Sequence, residues 1–178
     1  MPELSIRTAS ANDAQAIANF HVKVWRHTYR DLAPREAFDV LDEQRRGTQW
    51  TERLSSNDTS QVVLIAEISG RMVGIGSAGR PSEMLFGERG EISFLYVDPD
   101  LKRSGVGRAL LSTLATHLKG LAEYRGAALS VVKGNEPAIA YYEALKGRRA
   151  GEYVDSGPTW RSHNIVFVWD DVAGLIAS

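Results

Sequence analysis

The residues best suited to chemistry lie in Leu95–Arg108, which reads LYVDPDLKRSGVGR. Lys102 and Arg103 bring two cations and Ser104 a small hydroxyl, while Gly105 and Gly107 let a ligand approach the backbone closely. From Val106 onward Leu110, Leu111, Leu114, Leu118 and Leu121 recur at helical spacing, so a helix opens at the glycines. A helix N-terminus carries N–H groups without intrahelical acceptors and the positive end of the helix dipole. Together these features point to a site for an anion such as a pyrophosphate. The alternative on spacing alone is a turn with a solvated basic face. Neither common nucleotide motif fits: Leu110 stands where GxGxxG wants its third glycine, and the string GxxxxGK[ST] does not occur.

The elements that must position this segment can be read outward from it. Leu95, Tyr96 and Val97 end an apolar strand that begins at Glu91, and Asp98-Pro99-Asp100 is turn chemistry. Before it, Leu4–Thr8 alternates like a strand, and Ser10 with Asp13 resembles a capping box. Ala14, Ile17, Ala18, His21, Val24 and Trp25 then continue at helical spacing. A second helical region begins near Pro34, and a weaker third spans Gln44–Leu54. Val62–Ile68 and Met72–Gly79 read as a hairpin around Ser69-Gly70, and Pro81–Gly90 as a loop. After the Val106–Gly120 helix come a strand at Ala127–Val132 and a helix at Glu136–Leu145 capped by Asn135. Strands at Arg149–Val154 and Asn164–Trp169 follow. The expectation is an α/β protein of the α+β type, with a mixed, largely antiparallel central sheet of about seven strands flanked by about four helices.

A second constellation is NEPAIAYYEALKG at Asn135–Gly147. Taken alone, Tyr141-Tyr142 are packing aromatics and Asn135 a cap. In sequence with the first motif they resemble the GNAT superfamily of acyl-CoA-dependent N-acyltransferases. The family's phosphate motif, [QR]xxGx[GA], is similar to KRSGVG at Lys102–Gly107, with Lys102 in place of Gln or Arg. Its later motif, an Asn followed seven residues on by a Tyr, is similar to Asn135 and Tyr142-Glu143-Ala144-Leu145-Lys146-Gly147. The element order agrees from Ile6 to about Trp169.

The resemblance implies a GNAT fold whose sheet splays open beside Leu95, Tyr96 and Val97, so that the pantetheine of acetyl-CoA adds like a strand. It implies that the pyrophosphate sits on Lys102, Arg103, Ser104, Gly105, Val106, Gly107 and Arg108, and that Asn135 holds the cofactor arm. Tyr142 then lies near the thioester sulfur as general acid, and Glu91 matches the glutamate base of histone-type members. Members that acetylate ribosomal proteins carry a glutamate five residues before the motif Asn, where this chain has Ser130, so the base is a different residue such as Glu91 or water alone. By the two-residue period of a strand, Glu91, Ser93 and Leu95 share one face. The acceptor would meet Trp25, Tyr29 and Trp160, with His21 and His163 nearby. The implied acceptor is a primary amine of a small molecule or a peptide N-terminus, attacked directly in a ternary complex. A different acyl-CoA donor, or a non-catalytic acyl-CoA sensor, would carry the same motifs.

The bulk properties bound these readings. A chain of 178 residues with 43% hydrophobic and 24% charged residues suits one soluble domain spanning 1–178. Twenty-one Lys+Arg against 22 Asp+Glu give a formal net charge of −1, which provides no basic field for nucleic acid. With no cysteine, thiolate metal sites and a covalent thiol intermediate are excluded, and a reducing cytoplasm is compatible. The four histidines lack metal-ligand spacing, so no metal is expected. No apolar run is long enough for a membrane helix, and a sheet edge could join two copies into a homodimer.

Overall fold

The two hairpins and the strand–helix–strand run of the sequence build one mixed sheet. A computed structural model describes residues 3–176. Strand β1 (Leu4–Thr8) pairs with β2 (Val62–Ile68), which turns through Ser69-Gly70 into β3 (Arg71–Gly79). Both turn residues have positive φ, +52° and +73°, as a tight hairpin with right-handed strand twist requires. Strand β4 (Gly90–Val97) adds antiparallel to β3. Helix α4 (Val106–Lys119) then crosses over to β5 (Ala127–Val132), and helix α5 (Glu136–Ala144) leads to the final hairpin of β6 (Arg148–Asp155) and β7 (Ser162–Trp169). The order is β1-β2-β3-β4-β5-β7-β6, and every pairing except β4–β5 is antiparallel.

Helices cover both faces. On one, Leu110, Leu111, Leu114 and Leu118 of α4 and Ile139 and Tyr142 of α5 pack on Val73, Leu129, Val131 and Phe167. Burying each such leucine contributes about 2 kcal/mol. The contact is close because β3 has Gly74 and Gly76 under α4, where a Cβ would meet Leu110 and Leu114 at 2.8 and 2.9 Å. On the other face lie α1 (Ala14–Thr28), α2 (Arg35–Val40) and α3 (Glu43–Leu54), with Ile17, Ala18, Val24 and Trp50 packed on Val63, Ile65 and Ile75.

Among the described residues five α-helices form, the second and third regions standing as separate helices divided where Leu41 leaves helical backbone and Asp42 caps α3. The loop before β4 holds a 3₁₀ turn at Met84–Phe86, whose Phe86 is buried against Ala128, Val166 and Val168. The capping box forms, Ser10 N–H donating to the Asp13 carboxylate at 2.7 Å.

Candidate functional site

The turn after β4 is built to expose backbone N–H groups. Asp98, 2% exposed, accepts from the Asp100 N–H at 3.1 Å and stands 3.7 Å from Lys23 and 3.6 Å from Arg71. These contacts tie the strand end to α1 and β3. The chain then passes through two left-handed residues, Arg103 at φ +66° and Gly105 at φ +91°, and α4 begins. The first i→i−4 bond runs from Ala109 N–H to Gly105 O at 2.9 Å, so the N–H groups of Val106, Gly107 and Arg108 have no helical acceptor. Nothing lies within 4 Å of where a Gly105 Cβ would be. Lys102, Arg103 and Ser104 are exposed, whereas the Val106 side chain is buried in the core. Ser104 Oγ is turned back onto the Leu101 carbonyl at 2.5 Å.

Beside this turn the sheet comes apart. β4 and β5 pair only at Gly90↔Ala127 and Glu91↔Ala128, so the β5-facing edge of β4 has no partner strand beyond Glu91. The expected shared face of Glu91, Ser93 and Leu95 does not occur. Between Ser77↔Ser93 and Ile75↔Tyr96, β4 uses one more residue than β3, and Phe94 takes up the extra length at φ +53°. Ser93 bonds Ser77 at 2.8 Å, and the Phe94 ring meets His21 and Trp50, all on the α1/α3 face. Leu95 is thereby thrown to the α4 face, against the core that holds Leu114.

A groove of about 610 Å³ follows the opening from one face of the sheet to the other. Its lining includes Leu95, Tyr96, Val97, Lys102, Arg103, Gly105, Gly107, Arg108, Asn135 and Tyr142, ten of the twelve residues expected to hold the cofactor, but not Ser104 or Val106. Asn135 precedes α5 without capping it through its side chain and lines the groove. Tyr142 packs against Phe167 and Trp169, and burial, with Tyr141 and Tyr29 nearby, pushes its phenol well above the usual range. Two buried polar atoms along the groove have no partner, Arg108 Nη1 and Tyr141 Oη. Arg108 spends its other nitrogen, Nη2, on the Gly174 carbonyl at 3.2 Å. The sequence signals Tyr141 only by its place beside Tyr142.

The residues expected to meet an acceptor divide. Tyr29 lines the groove beside Tyr96, and Trp160 rests on Tyr29 with ring centroids 6.1 Å apart. Trp25 does not line it: at 5% exposure it packs with Val22, Ala37 and Leu41 as core. His21 is also core. Its Nδ1 accepts from Trp50 Nε1 at 3.1 Å, and burial, with Arg46 adding to it, pushes its pKa down to about 3. His163 is exposed on β7. Glu91 lies outside the groove lining, where β4 and β5 part. Its carboxylate accepts from Ser82 N–H at 2.8 Å, and burial raises its pKa against the opposing pull of Ser82 and Arg53. Ser130 lines the groove and accepts a hydrogen bond from the Tyr153 hydroxyl at 3.0 Å.

The arrangement can hold an extended ligand with an anionic end. The turn offers N–H groups and cations, the bare edge of β4 offers strand hydrogen bonds, and a phenol waits farther along. Among the described residues no cluster of His, Asp or Glu is arranged to hold a metal ion, and no helix is long and apolar enough to cross a membrane.

Comparison with known proteins agrees with this geometry. The uncharacterized N-acetyltransferase YuaI of Bacillus subtilis is 26% identical over 172 residues, covering 97% of this chain and 96% of the relative. The PaiA N-acetyltransferase of Thermoplasma acidophilum, solved with coenzyme A, superposes with a TM-score of 0.70 at 16% identity, covering 92% of this chain and 98% of that one. YncA of Salmonella typhimurium, solved with acetyl-CoA, gives a TM-score of 0.65 at 21% identity, covering 93% and 92%. Residues 20–147 match the acetyltransferase (GNAT) family, and the chain belongs to that family.

Proposed function

We propose that this protein transfers an acetyl group from acetyl-CoA to a primary amine, of a small molecule or a peptide N-terminus, by direct attack in a ternary complex. The observation that carries the reading is the single groove that joins the phosphate-type turn, the unpaired edge of β4 and Tyr142. The residues fit coenzyme A. Arg108 Nη1 and Tyr141 Oη are buried donors awaiting an acceptor, and the space beside Gly105 is open. Solved relatives carry coenzyme A or acetyl-CoA.

In this reading the backbone of Gly105–Arg108 holds the pyrophosphate, with Lys102 and Arg103 adding charge. The free edge of β4 from Ile92 to Val97 binds the pantetheine as a neighbouring strand would, and Asn135 steadies it from the other side. Acetyl-CoA supplies the activated acyl group, a thioester. Glu91, reaching through a water, takes the proton of the incoming ammonium, whose ordinary pKa near 10 leaves it unreactive. A β4 N–H polarises the thioester oxygen as the C–N bond forms and the C–S bond breaks. Tyr142 gives its proton to the leaving thiolate and recovers one from the newly acylated nitrogen, which must shed its second proton to become the amide; its raised pKa keeps the phenol protonated at neutral pH between turnovers.

The test is thiol release from acetyl-CoA with a panel of polyamines, aminoglycosides, amino acids and short peptides, run with Tyr142→Phe in parallel. Release with one class, reduced about a hundredfold or more in kcat by the variant while the acetyl-CoA KM holds, is the expected result. Acetyl-CoA binding without release from any amine would favour a sensor over an enzyme.

A further inference from the structure

Helix α3 turns Arg46, Trp50 and Arg53 toward the sheet at i, i+4 and i+7. Trp50 is core, bonded to His21. Arg53 is also accounted for: its guanidinium covers Phe94 at 5.0 Å and Trp50 at 5.9 Å, Nη2 donates to Ser77 Oγ at 3.1 Å, and Glu91 lies near. Arg46 is different. Its Nη1 donates to Gln49 Oε1 at 2.9 Å and its Nη2 to Thr159 Oγ1 at 3.2 Å, both neutral acceptors. Among the described residues no carboxylate is within ion-pair range of it, and burial works against its charge.

Arg46 is part-buried, and a guanidinium stays charged, so even partial withdrawal from water without an anion carries a cost. Its position suggests what offsets that cost. Tyr96, the neighbouring phenol, lines the groove with Tyr29, and Trp160, next in chain to Thr159, packs on Tyr29. Arg46 does not itself line the groove but stands next to its α1-side margin, at Tyr96 and Thr159, away from the phosphate-type turn on the α4 side. Its planar fork suits a bidentate oxyanion.

We infer that Arg46 receives an oxyanion of the acceptor, so that the amine acetylated here carries a carboxylate or phosphate on the same molecule. This rests on the acetyl-transfer reading above and narrows its substrate class to amines with an acidic group.

The experiment offers primary amines in matched sets: one member with a carboxylate, one with a phosphate ester, and the neutral carboxamide or alcohol of each. Thiol release gives kcat/KM at saturating acetyl-CoA, for the wild type, Arg46→Gln and Arg46→Lys, with melting temperatures as a check on folding. The wild type is expected to prefer one anionic member over its neutral partner by tenfold or more, and that arm names the group. Arg46→Gln should collapse the preference to within about twofold, and Arg46→Lys should keep part of it. Equal transfer to neutral and anionic members by the wild type would overturn the assignment and leave acetyl transfer standing. A preference that survives unchanged in Arg46→Gln would do the same. Absence of both release and acetyl-CoA binding by calorimetry would overturn the acetyl-transfer reading and this inference together.

Discussion

Replacing Gly107 with alanine should make the protein more stable and leave its binding of coenzyme A nearly unchanged. Gly107 is the second residue of α4, with no positive φ, and a Cβ there would meet only Val97 Cγ2 at 3.4 Å, an ordinary contact. Alanine in a helix interior is favoured over glycine by about 1 kcal/mol, and the first turn should realise about half of that. For a chain of this size 0.5 kcal/mol raises the melting temperature by roughly 1–2 °C. The methyl meets only Val97, and the family motif admits alanine as well as glycine at this position, so the N–H groups of the turn stay open to the phosphate. Affinity for coenzyme A should hold within about twofold, about 0.4 kcal/mol. Urea unfolding of the free protein and calorimetric titration with coenzyme A measure the two effects separately. Gly105→Ala is the contrast: its Cβ has open space, but φ +91° costs about 1–2 kcal/mol, so stability should fall. A Gly107→Ala protein that loses stability, or that loses tenfold or more in coenzyme A affinity, would refute this account of the turn.

Two further predictions concern protons. His21, neutral and buried, has a folded pKa near 3 against 6.5 when unfolded, so between these values the unfolded chain binds the extra proton. Its contribution is complete above pH 6.5 and is lost as pH falls toward 3, with a slope approaching about 1.4 kcal/mol per pH unit. His21→Gln, which keeps an acceptor for Trp50, should flatten the stability-versus-pH curve across that window; an unchanged slope would contradict the assignment. Glu91 must be ionised to act as base, and burial raises its pKa, so kcat/KM should fall on the acid side at a pH above the usual carboxylate range. Glu91→Gln should remove that limb and cost about a hundredfold in rate, and a limb that persists in the variant would move the base elsewhere.

The parts of this site that were readable in the sequence are those whose chemistry is local. Gly105 is needed for its φ, and the Val106–Leu118 periodicity points α4 onto the sheet whatever surrounds it. Positive φ at Ser69-Gly70 likewise belongs to a tight turn between apolar runs. Properties that depend on partners far along the chain carry no such signal. Trp25 and Tyr29 lie one helical turn apart, yet only Tyr29 reaches the groove, because α2 brings Ala37 and Leu41 over Trp25. Arg46 reads as one more surface charge of a polar helix until Thr159, 113 residues away, closes over it.

Phe94 shows why strand periodicity fails where the function is. An aromatic residue at φ +53° has no glycine to announce it, and the conformation costs about 1–2 kcal/mol. It persists because His21, Trp50 and Arg53 enclose the ring on the α1/α3 face. The extra residue sends Leu95 and Val97 to the α4 face and Tyr96 to the α1 face, so both mouths of the groove are set by one irregular position. Bulges increase local twist, and β4 loses β5 just before this one. The His21–Trp50–Arg53 cluster, none of whose members lines the groove, therefore acts on the site by holding β4 in the shape that leaves its edge open.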